Sequence, residues 1–287
     1  MIGLVSEARR NFHHELIHTG TLAIDSKGVA SNADSNQKTS SAVAYHMARA
    51  LGTPEGAQKL GGQTAGKNFE TAVTNFLSAT LPMFPMLRPG RWQIKNVGGQ
   101  RGVSHLSQFE PYTHLSSLAA AVVENPTLAS VLGNSYEISP DVLVIRAPEP
   151  DAFINSSATL VDEYSARRTI IRQLNSQNGI VHGIASCKWT LRSDRAQNAR
   201  SEALNIIRNR KGRTPHIVVV TGEPTPSRIA SLALGTGDLD TVYHMALPEL
   251  ITAVEATDND EALSMIHTLL DGNRLRDISD LPLDFTV

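Results

Sequence analysis

Three short runs of apolar residues limit the folds open to this chain more than any other feature. They span residues 141–147, 179–189 and 216–221, and the first contains the continuous run Val142–Ile145. Strands that are apolar on both faces are typical of sheets covered by helices. A helix is predicted between the last two runs, at 193–211, with Ser193 as its N-cap and Gly212 as its stop. The sequence therefore predicts an α/β fold.

The rest of the chain supplies further elements. Apolar residues at helical spacing predict helices at 65–81, 114–132 and 247–271, and a further strand is predicted near 241–246. Residues 82–113 are interpreted as loop with short strands, and the polar stretch 25–40 as a surface loop or arm. No linker divides these elements. We therefore expect a single domain over 1–287, with an N-terminal arm and loop at about 1–60.

Composition excludes several classes of protein. Hydrophobic residues make up 41% of the chain and charged residues 19%, as in ordinary globular proteins. The longest apolar stretches, such as 118–123, are too short to cross a bilayer, so no membrane partner is expected. Nothing near Met1 suggests export. The lone Cys187 forms no internal disulfide, and we expect a cytoplasmic protein.

The positive charge of this chain is concentrated in one segment. Residues 188–213 contain eight basic and two acidic residues, a surplus of six positive charges in a chain of net charge −2. A solvated basic helix would explain this surplus. A basic stripe on one helix is also typical of proteins that bind nucleic acid. The residues within the segment favour the second interpretation.

Two motifs suggest other enzymes. His14, Glu15 and His18 form H-E-x-x-H, the pattern of zinc peptidases, but no strand precedes it and no third ligand is identifiable. Residues 61–67 fit the phosphate-binding pattern G-x-x-x-x-G-K, but Asn68 replaces the magnesium-binding hydroxyl residue. A surface helix explains the first motif better, and we expect no nucleotide cofactor from the second.

Three other residues together fit a single reaction, the hydrolysis of a phosphodiester. Asp141 opens one predicted strand, Lys188 ends another, and Glu202 follows fourteen residues later on the helix. Phosphodiester hydrolysis requires cations that neutralise phosphoryl charge and a water made nucleophilic. Magnesium usually takes one or two carboxylates from a protein, and phosphate and water complete its shell. Asp141 and Glu202 would supply the carboxylates, and Lys188 would contact the scissile phosphate and the attacking water.

A base-reading pattern follows directly. Arg192, Asp194 and Arg195 stand at the start of the predicted helix. Arginine bonds bidentately to guanine, and aspartate accepts from cytosine, so the pattern favours a reader of G·C pairs in the major groove. A DNA-binding module without catalysis would explain these three residues. It would not explain why Asp141, Lys188 and Glu202 accompany them.

At this point the sequence resembles a known family. The segments SPDVLVIR, SCKWTLRSDRAQNARSEALNIIRNRKG and PHIVVVTGEPTPSRIASLALGTG are similar to those of CCGG-family type II restriction endonucleases, and within them to NgoMIV-type enzymes. The resemblance extends from SNAD to DISDLPLD. It implies the PD-(D/E)xK restriction-endonuclease-like fold, a mixed central β-sheet flanked by helices.

The resemblance also implies a role for each matching residue. The catalytic residues would be Asp141, Lys188, Glu202 and Glu70. The metal ligands would be Asp141, Glu202, Glu70 and the main-chain carbonyl of Cys187, around what we expect to be two Mg²⁺ ions. The DNA-binding residues would be Arg192, Asp194 and Arg195 for the inner CCGG, Asp34 and Arg228 for the outer G·C pair, and Gln63 in the minor groove.

Two positions depart from the patterns that the resemblance brings. In the usual PD-(D/E)xK pattern the second acid stands two residues before the lysine, but here that position is Ser186. Asn36 stands where the nearest pattern in the family has a serine with a role in the minor groove. This difference bears on how strictly the outer base pair is recognised.

The resemblance also implies an assembly. It implies a prokaryotic enzyme that cuts double-stranded DNA at GCCGGC and leaves four-base 5′ overhangs. The palindrome calls for a homodimer, and the resemblance alone implies a homotetramer that engages two sites.

Overall fold

The three apolar runs form the centre of one mixed β-sheet. The computed structural model describes residues 2–98, 105–125, 127, 130–131, 140–191, 193–235 and 237–287, and only the backbone at 193–195. Within them six strands lie across the sheet in chain order: β1 (Trp92–Asn96), β2 (Val142–Arg146), β3 (Ile180–Lys188), β4 (His216–Thr221), β5 (Thr241–His244) and β6 (Leu275–Asp277). The first three strands pair antiparallel, and β3 to β6 pair parallel.

Helices flank this sheet. Those in the described ranges are α1 (Leu4–His18), α2 (Lys38–Ala50), α3 (Gly62–Thr80), α4 (His114–Glu124), α5 (Asp151–Ile154), α6 (Ser193–Asn209), α7 (Pro226–Ala233), α8 (Leu247–Glu255), α9 (Asp260–Asp271) and α10 (Leu281–Asp284). The predicted α/β class and the mixed sheet flanked by helices are confirmed. In the described part of the chain, no helix is long and apolar enough to span a membrane.

The sheet is closely packed because its central strands are buried on both faces. Val142, Leu143 and Val144 have no exposed surface. Helix α3 packs across β1, β2 and β3, and its Phe69 and Leu77 are fully buried. Side chains at the ends of β2 and β3 are therefore held by a well-packed core.

The parallel pairing of β3 with β4 determines where α6 lies. Parallel neighbours need a crossover connection, and α6 supplies it. Ala199, Ala203 and Ile206 are buried, so one face of α6 packs against the protein. Glu202, which adjoins this face, is thereby brought back towards the end of β3.

Several predicted elements need correction. The helix predicted at 247–271 is two helices, because Asp258 has a positive φ of 49° and Asn259 caps α9 through the backbone N–H of Ala262. The helix predicted at 114–132 has its first part as α4, and several later residues lie outside the described ranges. The predicted N-cap, Ser193, is already helical. Part of the polar stretch 25–40 is not surface, since Asn32 is only 1% exposed.

Candidate active site

The antiparallel register of β2 and β3 brings Asp141 beside the end of β3. Val142 pairs with Ala185, so the residue before it lies next to Ser186. Oδ2 of Asp141 accepts the backbone N–H of Cys187 at 2.7 Å and lies 2.9 Å from Nζ of Lys188. The structure therefore brings together two of the predicted catalytic side chains.

A third side chain joins them through a hydroxyl group. Oγ of Ser186 is 3.3 Å from Oδ2 of Asp141 and 3.3 Å from Oε2 of Glu202. Ser186 itself is only 5% exposed. The carboxylate of helix α6 thus occupies the space beside position 186. Sequence reasoning did not assign this bridging contact to the Ser186 hydroxyl.

The charged groups of this cluster affect one another's ionisation. Burial, reinforced by Asp141 and opposed by Lys188, raises the pKa of Glu202 to about 7. Burial and Asp141 likewise raise the pKa of Glu70 to about 7. Burial disfavours the ammonium of Lys188, but Asp141 and Glu202 outweigh it and raise the pKa of the lysine. Glu202 and Glu70 are therefore harder to ionise than free glutamates, because both are buried near the negative charge of Asp141.

This donor set fits a hard divalent cation. Oε1 of Glu202 is buried and has no hydrogen-bond partner among the described residues. No three Asp, Glu, His or Cys side chains in the described ranges form a ready metal cage. Magnesium does not require one, because one or two carboxylates suffice when phosphate and water complete the shell.

Glu70 approaches the cluster from α3. Its carboxylate lies against Gly98, and the neighbouring Val97 donates its backbone N–H to the carbonyl of Asp141 at 2.9 Å. A Cβ at position 98 would overlap Oε2 of Glu70, so glycine leaves the room that this side chain occupies. The fourth predicted catalytic residue thus lies near the other three.

The predicted inner base readers follow strand β3 in the sequence. Arg192 lies outside the described residues, and Asp194 and Arg195 are in the first turn of α6 with only their backbone described. Leu191, just before them, is 1% exposed. The start of α6 is therefore fixed to the end of β3, close to the cluster of Asp141, Lys188 and Glu202.

The predicted outer base readers pair with each other. Nη2 of Arg228, on α7, lies 2.5 Å from Oδ2 of Asp34, and both side chains are partly exposed, at 22% and 18%. Gln63 is exposed in the first turn of α3. The structure thus joins two predicted readers that are 194 residues apart.

Sequence reasoning missed Glu223. This residue follows β4, is 0% exposed, and lies 3.8 Å from Nη1 of Arg228. The available signal was a glutamate two residues after a buried strand. Its carboxylate accepts backbone N–H groups, and a sequence does not show which of these it will meet.

The two rival motifs lie elsewhere. The rings of His14 and His18 stack 6.1 Å apart on α1, and Oε1 of Glu15 accepts a hydrogen bond from Asn75. The glycine-rich motif at 61–67 lies at the N-terminus of α3, which contains Lys67. No strand of the described sheet leads into this motif. Both motifs are helical segments in this fold.

Comparison with known proteins identifies the family. The model of the family described as "NgoMIV restriction enzyme" matches residues 12–287. The chain is also 46% identical over 284 residues to the type II restriction enzyme NgoMIV of Neisseria gonorrhoeae, and the match covers 99% of each chain. The chain belongs to the NgoMIV restriction enzyme family and is a type II restriction endonuclease.

Proposed function

We propose that this endonuclease requires magnesium and cleaves double-stranded DNA within GCCGGC, leaving four-base 5′ overhangs. One observation carries the proposal: Asp141 and Glu202 meet at the hydroxyl of Ser186, with Lys188 paired to Asp141. This acidic site lies at the end of β3, just before the helix that carries Asp194 and Arg195. Membership of the NgoMIV family supports the same activity.

Each residue of the cluster has a proposed task. Asp141, Glu202, Glu70 and the main-chain carbonyl of Cys187 would hold two Mg²⁺ ions. Bound magnesium would neutralise charge on the phosphate and make water more acidic. The Nζ atom of Lys188, held 2.9 Å from Asp141, would orient the scissile phosphate and the attacking water. The buried Oε1 of Glu202 is the atom whose missing partner supports a cation here.

The recognition residues divide between the inner and outer base pairs. We propose that Arg192, Asp194 and Arg195 read CCGG in the major groove. Asp34 and Arg228 would read the outer G·C pair, and Gln63 would contact the minor groove. These are the contacts that arginine and aspartate make with guanine and cytosine. Asp34 belongs to the N-terminal arm at about 1–60, which we place in the same single domain.

The assembly is proposed from symmetry. A palindrome presents the same surface twice, so a homodimer with twofold symmetry fits it. We further propose a homotetramer of two such dimers. Four exposed apolar side chains between β2 and β3 offer surface for self-association: Phe153, Leu160, Tyr164 and Leu174. Analytical ultracentrifugation with and without duplex DNA measures both states, and a monomer bound to the full site would contradict the proposal.

Digestion of plasmid DNA tests the activity. Plasmid with two GCCGGC sites should be cut with magnesium, and left intact with EDTA or with zinc alone. Sequencing the ends should show a four-base 5′ overhang. Ends at bare CCGG, or at a different outer pair, would show that Asp34 and Arg228 are misassigned. Specific binding without any cleavage would instead identify a DNA-binding module.

A further inference from the structure

We propose that Glu223 is a positioning residue that couples the inner and outer base readers, so that the six base pairs are recognised as one unit. The proposal rests on the proposed function, since it takes 192–195 and the pair Asp34–Arg228 as the readers. Glu223 has no assigned role in recognition or catalysis. It contacts Leu191, the residue directly before the inner readers, and Arg228 of the outer pair.

The carboxylate of Glu223 connects two segments. Oε2 accepts the backbone N–H of Leu191 at 2.7 Å, directly before the inner readers. Oε1 accepts the backbone N–H of Thr225 at 3.1 Å, directly before α7, and lies 3.8 Å from Nη1 of Arg228. One buried side chain therefore holds the start of both reading elements.

The backbone of Glu223 is also fixed. Its N–H donates to Oγ1 of Thr221, whose hydroxyl donates to the carbonyl of Lys188. Its carbonyl accepts from Nε2 of His244, because Nδ1 of that ring accepts the N–H of Ala246. Hydrogen bonds at both its N–H and its carbonyl therefore hold the backbone of Glu223 in place.

The arm that carries Asp34 is tied to the same loop. Nδ2 of Asn32 donates to the carbonyl of Gly222 at 2.7 Å, and this asparagine is buried. Gly222 packs closely on Trp189, where an added Cβ would lie 2.8 Å from the indole ring. The loop 222–225 is therefore linked to both sides of the outer pair, to the arm through Asn32, which lies two residues before Asp34, and to Arg228 through Glu223.

An amide cannot replace this carboxylate. Both oxygens of Glu223 accept backbone N–H groups, whereas glutamine offers one oxygen and one NH₂ group. Glu223→Gln would place two donors against each other at Leu191 or at Thr225. Its size is nearly unchanged, so the variant tests the hydrogen-bond pattern rather than packing.

The experiment compares discrimination by kcat/KM on three duplexes. They contain GCCGGC, ACCGGT with the outer pair changed, and GCGCGC with the inner pairs changed. Glu223→Gln should reduce discrimination about tenfold against both altered duplexes, the size of effect expected when coupled neighbours are separated. Arg228→Ala should reduce discrimination most strongly at the outer pair, because it removes one of the two outer readers directly. Glu149→Gln is the matched control, because Glu149 is also buried but lies between Arg91 and Arg146. Its discrimination should equal that of the parent protein.

A second measurement needs no change at Glu223. In the parent protein, altering the outer and inner pairs together should weaken binding about tenfold less than the product of the two separate effects. Independent effects would overturn the proposal even if Glu223→Gln does not fold. Unchanged ratios in folded Glu223→Gln would overturn it too, while failure of the parent protein to distinguish GCCGGC from ACCGGT would refute the proposed function instead.

Discussion

Oγ of Ser186 lies 3.3 Å from Oε2 of Glu202, a residue sixteen positions later on another element. Position 186 stands two residues before Lys188, where the usual PD-(D/E)xK pattern has its second acid. A serine hydroxyl is a weaker magnesium ligand than a carboxylate. In this protein the crossover helix α6 brings an acid into contact with that position. The acidic site is thus assembled from a strand and a helix.

Replacing Lys188 should separate catalysis from recognition. Lys188→Ala should abolish cleavage but leave specific binding largely intact, because Nζ pairs with Asp141 and not with a proposed reader. Arg195→Ala should instead lose bidentate guanine contacts worth about 1–3 kcal/mol per base pair. Binding is measured by titration of a GCCGGC duplex, and cleavage by single-turnover kinetics. The division is wrong if Lys188→Ala loses specific binding while Arg195→Ala cuts normally.

Replacing Arg228 should relax the outer base pair. Arg228→Ala should lower discrimination between GCCGGC and ACCGGT by about tenfold or more, which corresponds to a bidentate contact. Because Arg228 and Asp34 hold each other, Asp34→Ala combined with Arg228→Ala should cost less than the two changes added together. Arg276→Ala is the control, since that guanidinium pairs with Asp284. Equal discrimination in Arg228→Ala and the control would refute the outer-reader role.

An ion-pair network should make stability depend on pH. Arg9 donates to both Glu249 and Asp277, and the three side chains are 10–21% exposed. Burial raises the pKa of each carboxyl group, but the hydrogen bonds and charge of Arg9 outweigh it, so both pKa values lie below their ordinary range. The resulting stability is present above the unfolded-state pKa values and is lost as pH falls through the folded ones.

Arg9→Ala should therefore destabilise the protein by about 3 kcal/mol at pH 7, as when one member of a buried ionic group is removed. The difference from the parent protein should shrink on acidification below pH 4. Denaturant unfolding at both pH values measures it, with exposed Arg10→Ala as the control. A difference that grows on acidification would contradict this account of the network.

The sequence predicted the centre of the fold better than its edges. The apolar runs of β2, β3 and β4 were identified because strands buried on both faces need continuous apolar residues. Strand β6 has only three residues and gives no comparable pattern. The break between α8 and α9 was missed because Asn259 was not recognised as an N-cap within an apolar periodic stretch.

The candidate site shows a similar division. Asp141, Lys188 and Glu202 were named from their chemistry and from family resemblance, and the structure brings them together. The pairing of Asp34 with Arg228 joins residues 194 positions apart, and no periodicity predicts such a contact. Glu223 was missed because its carboxylate binds backbone N–H groups, which every sequence contains.

The most direct test of the central claim concerns the second acid. Glu202→Ala should retain fold and DNA affinity but cut at least about 100-fold more slowly at limiting magnesium, the scale of losing a group that acts in the transition state. Combining Ser186→Asp with Glu202→Ala should recover part of the rate, because the two positions face one volume. The measurement is the single-turnover cleavage rate against magnesium concentration. Parent-like rates in Glu202→Ala at limiting magnesium would contradict the account and indicate Glu70 as the acid that matters.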